Sequence, residues 1–218
     1  QGIYHYFAEV MPKKHPIIRP IMIFLPDGDR ELGLQQLEEV AREGIYARTE
    51  AAYFLAQIHR LFEDDERQAL PWFEELYARY PDNALFHRYA ARLLVELGRW
   101  QQGTVLYAEY VRRSRAGQTG YHRHGRLEAH YHLGKYDFFK RRHDGAVAHF
   151  AAVDSLAADS ERKRDLAYAA LANLLLGQVH DLEGRRAEAI TRYERVRDLP
   201  DYAESRDRAK RYLREPYG

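Results

Sequence analysis

The sequence predicts an all-α fold, an α-α superhelix (solenoid) of paired helices, on three observations. A small–aromatic–bulky pattern at helical spacing recurs five times. Glycines and prolines fall between the recurrences, where hairpin turns and helix ends are needed. A polar, charged segment closes the chain, as a cap on the last apolar face of a stack requires.

The five recurrences are Gly33/Leu37/Val40, Ala69/Phe73/Leu76, Gly103/Tyr107/Tyr110, Ala146/Phe150/Val153 and Ala189/Tyr193/Val196. Offsets of four and then three place each trio on one helical face. The small residue lets a neighbouring helix approach closely, and the aromatic or Leu fills the gap between hairpins. The small residues are spaced 36, 34, 43 and 43 apart, so the later units carry longer helices or loops. The second helices are expected near 30–43, 65–80, 100–114, 144–158 and 186–198.

The elements follow in order. Residues 1–26 form a helical or irregular N-terminal segment holding the longest apolar run, Ile21-Met22-Ile23-Phe24-Leu25, far short of the roughly 20 residues of a membrane span. Asp27-Gly28-Asp29 is a turn, Asp29 can cap the next helix, and Glu31 suits its positive end. Residues 27–201 hold the repeats. Pro71 is read as early in its helix, after Asp64-Asp65-Glu66, where a missing N–H does least harm. Gly98 and Trp100 precede Gly103, Leu133-Gly134 precedes Ala146, and Leu176-Gly177 with Gly184 precedes Ala189, each marking a first helix. Gly98 and Gly184 sit at turns that need a left-handed residue, and Pro81 and Pro200 end second helices. Residues 202–218 form a capping helix and tail, with Ala209 and Leu213 facing the stack and Tyr202 near the helix start.

On these residues the chain resembles the tetratricopeptide repeat family from about Arg30 to Leu213, most closely in "LLLGQVHDLEGRRAEAITRYERVRDLP" and "ALPWFEELYARYP". A narrower resemblance rests on Leu25, Pro26, Gly28, Asp29, Arg30, Gly33, Leu34 and Leu37. These match the "LP…GDR..GL..L" signature of the subfamily that includes the yeast inclusion-body-clearance protein and its animal relatives. Members of that group are longer, so the resemblance implies a C-terminal solenoid of a larger protein. The start at Gln1 rather than Met, and the apolar Ile17–Leu25 segment, point the same way. Any signal peptide or anchor would lie upstream.

Composition narrows the function classes. The chain has 218 residues, 31% charged and 45% hydrophobic, an ordinary soluble balance. A net charge of +1 argues against a dedicated nucleic-acid binder. With no Cys, disulfides and thiolate metal sites are excluded, whereas cytoplasm and periplasm both stay open. Arg outnumbers Lys, in the manner of chains from GC-rich bacterial genomes.

No residue cluster reads as catalytic, and no cofactor is implied. Glu38/Glu39, Asp64/Asp65 and Glu74/Glu75 are adjacent pairs that diverge on a helix. Phosphate-loop, dinucleotide, G-x-S-x-G and H-E-x-x-H patterns are missing. His124, Glu128 and His132 share a face, but eight residues span about 12 Å, too far for one ion to reach both histidines. The reading is therefore no metal, with surface or interhelical histidines.

Charge is uneven. Residues 27–82 carry about fourteen acidic and six basic side chains, and residues 107–143 about nine basic and three acidic. The basic stretch holds Arg112, Arg113, Arg115, Arg123, Arg126, Arg141 and Arg142. It suits a solvated face first, an acidic protein or peptide second, and nucleic acid or lipid last.

In tetratricopeptide stacks the first helices line a concave groove. The resemblance therefore implies Arg88, Arg92, Tyr131, Lys135, Gln178 and Asp181 as groove residues. Their Arg/Lys bias favours an acidic protein or peptide segment, and the Lys/Asn clamp of chaperone-tail receptors is not present. The expectation is a protein-binding scaffold or adaptor rather than an enzyme, with no small-molecule substrate evident and self-association open. Three alternatives stay open: an envelope-associated assembly factor anchored upstream, an RNA-binding module, and the substrate platform of a larger enzyme.

Overall fold

The computed structural model describes residues 1–22 and 25–218, which are helical with no strand. Ile23 and Phe24, at the centre of the longest apolar run, lie outside the described residues. Among the described residues no helix is long and apolar enough to cross a membrane. The chain forms two compact units, Gln1–Leu97 and Gly98–Gly218. That boundary falls inside the 27–201 span read from sequence as one run of repeats.

Unit 1 contains α1 (Gly2–Lys14), a 3-10 turn (Pro16–Ile18), α2 (Arg19–Met22), α3 (Arg30–Glu43), α4 (Arg48–Leu61), α5 (Glu66–Arg79) and α6 (Ala84–Glu96). α1 packs on α3, α3 on α4, α4 on α5 and α5 on α6. Side chains cap three of these helices. Asp29 accepts from the Leu32 N–H at 2.9 Å, Asp65 from Gln68 at 3.0 Å and Asn83 from Leu85 at 3.0 Å, which satisfies N–H groups that a helix cannot pair internally. At Gly33 a Cβ would lie 2.5 Å from the Tyr6 nitrogen, so α1 and α3 meet backbone to backbone. Leu37 is buried, but Val40 is 37% exposed and does not pack as the third residue of its trio; it lines an open cleft instead. Pro71 lies past the first turn of α5, not at its tolerant start.

Unit 2 contains α7 (Trp100–Arg115), α8 (Arg123–Phe139), α9 (His143–Ala157), α10 (Lys163–Leu182), α11 (Arg186–Asp198) and α12 (Ser205–Arg214). Each helix packs on the next, and α10 also touches both α8 and α12. α8, α10 and α12 therefore lie side by side. Aromatic rings of α9 and α11 seat where the preceding helix has no Cβ. A Cβ at Gly134 would stand 2.7 Å from the Phe150 ring, and one at Gly177 would stand 2.4 Å from Tyr193. Phe150, Val153, Tyr193 and Val196 are wholly buried. Gly184 turns α10 into α11 with φ of +72°, a conformation that costs a residue without a Cβ little. On α12 Ala209 and Tyr212 are buried and the half-buried Leu213 packs against the same core, whereas Tyr202 is exposed. Tyr212 joins the face expected of Ala209 and Leu213 because it follows Ala209 by three, the other same-face offset.

Candidate peptide groove

The side-by-side helices of unit 2 enclose a cavity of about 370 Å³. α8 contributes Tyr131, Lys135, Phe138 and Phe139, and α10 contributes Leu171, Leu174, Leu175 and Gln178. α12 and the tail add Arg208, Tyr212 and Tyr217. The helical periods explain the grouping: Tyr131 and Lys135, Leu171 and Leu175, and Arg208 and Tyr212 are each four apart on one face. The walls are apolar and aromatic, with a few polar groups converging on the space, as in ordinary ligand sites.

Those polar groups are unusual in one respect. The Tyr131 hydroxyl, the Lys135 ammonium, the Gln178 amide and the Arg208 guanidinium have no side-chain hydrogen bond or ion pair among the described residues. Lys135 lies 5.3 Å from the Trp100 ring centroid, 5.7 Å from Tyr131 and 5.7 Å from Phe139. The ring faces stabilise its charge, while burial holds its pKa below the ordinary lysine value. Burial also pushes the Tyr131 phenol up, so it stays protonated and available as a donor.

The floor of this region is pinned by Asp181. Its carboxylate accepts from Arg186 at 3.0 Å, from the Tyr193 hydroxyl at 2.8 Å and from the Tyr217 backbone N–H at 2.9 Å. The Asp181 side chain has no solvent exposure. Arg186 also donates to the Leu213 carbonyl at 2.9 Å. The tail is thereby fixed beside the cavity, with the Tyr217 ring edge-on to Tyr212 at 5.3 Å.

Of the six groove residues expected from sequence, the cavity brings together Tyr131, Lys135 and Gln178. Asp181 is not a groove contact, because its carboxylate is spent on three internal partners. Arg88 and Arg92 belong to α6 of unit 1. Arg92 is 4% exposed, packed 5.4 Å from the Tyr89 ring, and is not a surface cation. Arg88 is half-buried against the same ring, with Nε buried and unpaired.

The seven-arginine patch is largely used internally. Arg112 and Arg113 share Glu109, whose carboxyl they hold down to about 2. Arg113 also donates to the Tyr121 hydroxyl at 3.0 Å, Arg123 to the Leu156 carbonyl at 2.6 Å, and Arg142 pairs with Asp137 at 2.6 Å. Only Arg115, Arg126 and Arg141 lack a side-chain hydrogen bond or ion pair among the described residues. The histidines are interhelical: His124 pairs with Asp165 at 2.6 Å, and His130 Nδ1 lies 2.9 Å from His149 Nδ1. Among the described residues no three His, Cys, Asp or Glu side chains converge to hold a metal ion.

Sequence reading missed Arg208, Tyr212 and Tyr217, having treated the last helix as a polar cap. The signal was present as Arg208/Tyr212, four apart, with Tyr217 beyond the helix end. Comparison of the chain with protein-family models, curated proteins and solved structures returns no match.

Proposed function

We propose that the chain is a protein-interaction module of tetratricopeptide type, and that the groove on α8, α10 and α12 takes an extended acidic peptide segment bearing an apolar side chain. One observation carries the reading: two cations, an amide and a phenol that have no side-chain hydrogen bond or ion pair among the described residues face one largely apolar cavity. Lys135 and Arg208 supply charge for a carboxylate. Gln178, with a donor and an acceptor on one amide, suits a peptide backbone group. The aromatic and leucine walls accept the apolar side chain. The repeated hairpins, with rings seated on Gly134 and Gly177, support the repeat-family part of the reading. Because three of the seven patch arginines are ion-paired and Arg123 is bonded to a backbone carbonyl, an RNA-binding reading has less to stand on.

An array of acidic peptides with varied apolar neighbours, probed with the purified chain, tests this. The best binder should lose roughly 10- to 100-fold in affinity to Lys135→Ala or Arg208→Ala, the scale of a hydrogen bond to a charged group. It should weaken with salt. Neutral peptides binding equally well, or variants binding unchanged, would sink the assignment.

A further inference from the structure

Two further surfaces, one of which shares Phe139 with the groove, are complementary to each other. In unit 1, the α3–α4 connection presents Ile45 and Tyr46 at 87% and 95% exposure. They protrude beside an open cleft of about 730 Å³ that exposes Val40 and Phe54. Its rim carries Glu39, Glu43 and Glu50, all exposed and without an ion-pair partner among the described residues. Large side chains this exposed, ringed by like charge, mark an interaction surface.

In unit 2, a cleft of about 540 Å³ opens where α7 begins and α8 ends, lined by Trp100, Tyr136 and Phe139. Phe139 is 57% exposed, and Trp100 meets it edge-on at 5.6 Å. The cations beside it are Lys140, on the cleft lining, and Arg141, the next residue. Both are exposed and have no ion-pair partner among the described residues. A residue with φ of +55° at Arg141 holds this turn in a left-handed conformation that is costly without a Gly.

We infer that the chain associates with a second copy of itself: the Ile45–Tyr46 loop of one copy seats in the Trp100/Tyr136/Phe139 cleft of another, with Glu43 and its neighbours against Lys140 and Arg141. The occupant is argued from both chemistries at once. The loop offers an aliphatic and an aromatic side chain flanked by carboxylates without ion pairs, and the cleft offers aromatic walls flanked by exposed cations, Lys140 lying 5.6 Å from the Tyr136 ring centroid. Because the two patches differ, the contact is heterologous, and a pair of copies keeps one free cleft and one free loop, on opposite members, for further copies. The inference needs no peptide in the groove, although Phe139 lines both spaces.

Sedimentation velocity across concentrations up to roughly 1 mM tests it, since weak contacts of this size fall in that range. The wild type should show an average mass rising with concentration, suppressed at about 0.5 M salt. Ile45→Ser with Tyr46→Ser, an exposed change that leaves the circular dichroism spectrum intact, should be monomeric. Glu43→Lys and Lys140→Glu should each weaken association alone, their equimolar mixture should recover it through one native and one swapped pair, and the double variant alone should recover it through the swapped pair only. A wild type that stays monomeric throughout overturns the inference, as does a wild type that associates while the loop variant associates equally.

Discussion

Each unit contains a tyrosine–carboxylate–arginine cluster, and the two are built differently. In unit 1, Glu63 accepts from the Tyr6 hydroxyl and from Arg30, whose Nε approaches at 3.0 Å. The Glu63 side chain keeps 18% exposure and Arg30 keeps 38%. In unit 2, Asp181 accepts from Tyr193, Arg186 and a backbone N–H with none of its surface in water. The first cluster fastens the surface of a packed bundle. The second is an internal post that holds α10, α11 and the tail together. Burial of this kind makes the loss of one partner expensive, because the others are left unsatisfied away from solvent. Asp181→Ala should therefore cost about 3–5 kcal/mol in urea denaturation. Glu63→Ala should cost about 1–3 kcal/mol, the range for a partly exposed charged hydrogen bond. Equal losses would show that the two clusters do the same work.

The close helix contacts allow a sharper version of the comparison. Gly33 is crossed by backbone, with Tyr6 N and the Gly2 carbonyl inside 3 Å of an added methyl group. Gly177 is covered by the Tyr193 ring, which can slide. Gly33→Ala should cost more than Gly177→Ala, both within about 1–3 kcal/mol of overpacking loss. Chemical denaturation of the two variants side by side decides the order.

Acid should act on buried histidines in both units. His130 is 4% exposed and lies against the half-buried His149. Burial, the His149 ring and nearby arginines hold His130 down to about 4, and burial with Arg115 holds His149 below the ordinary 6.5 against the opposing pull of Asp137. Burial lowers His180 of α10 too, and His59 in unit 1. A histidine depressed in the folded state binds fewer protons folded than unfolded. Its contribution is fully present above pH 6.5 and is lost as pH falls from there toward about 4. His130, His149 and His180 place part of this loss in α8–α10 of unit 2, and His59 places part of it in α4 of unit 1. Thermal melts at stepped pH should show it, and His130→Gln should flatten the curve. An unchanged slope in that variant would remove the pair from the account.

These contrasts explain what could be read from sequence. The trios on α5, α7, α9 and α11 were legible because each is buried on its own helix at fixed offsets. Gly134 and Gly177 were legible as markers of a first helix, though not as ring seats, since the ring comes from the next helix. The groove residues were placed by the register of the first helices, a rule that assumes one solvated face on each. On α10 that rule fails: Asp165, Asn173, Gln178 and His180 are all buried, because α8, α9, α11 and α12 surround this helix. Gln178 happens to face the cavity, and Asp181 faces the internal post. Nothing in one sequence distinguishes the two, since the difference is set by which neighbouring helix supplies an arginine. The N-terminal trio misled in the opposite sense, with Val40 left on an open cleft.

The smallest contrast lies at helix starts. α3, α5 and α6 of unit 1 have side-chain caps, whereas α7–α11 of unit 2 begin at Arg99, His122, Arg142, Arg162 and Arg185 with none. Asn83→Ala should cost about 1 kcal/mol. The converse change is the finer test. Arg162 is exposed, with φ −75° and ψ 118°, already the extended geometry of a capping residue. Its long side chain cannot reach back to the free N–H groups, and its charge opposes the positive helix end. Arg162→Ser should stabilise unit 2 by about 0.5–1 kcal/mol, read as a rise in denaturation midpoint at unchanged slope. No gain would mean that those N–H groups are already satisfied by water, and that uncapped starts cost this unit nothing.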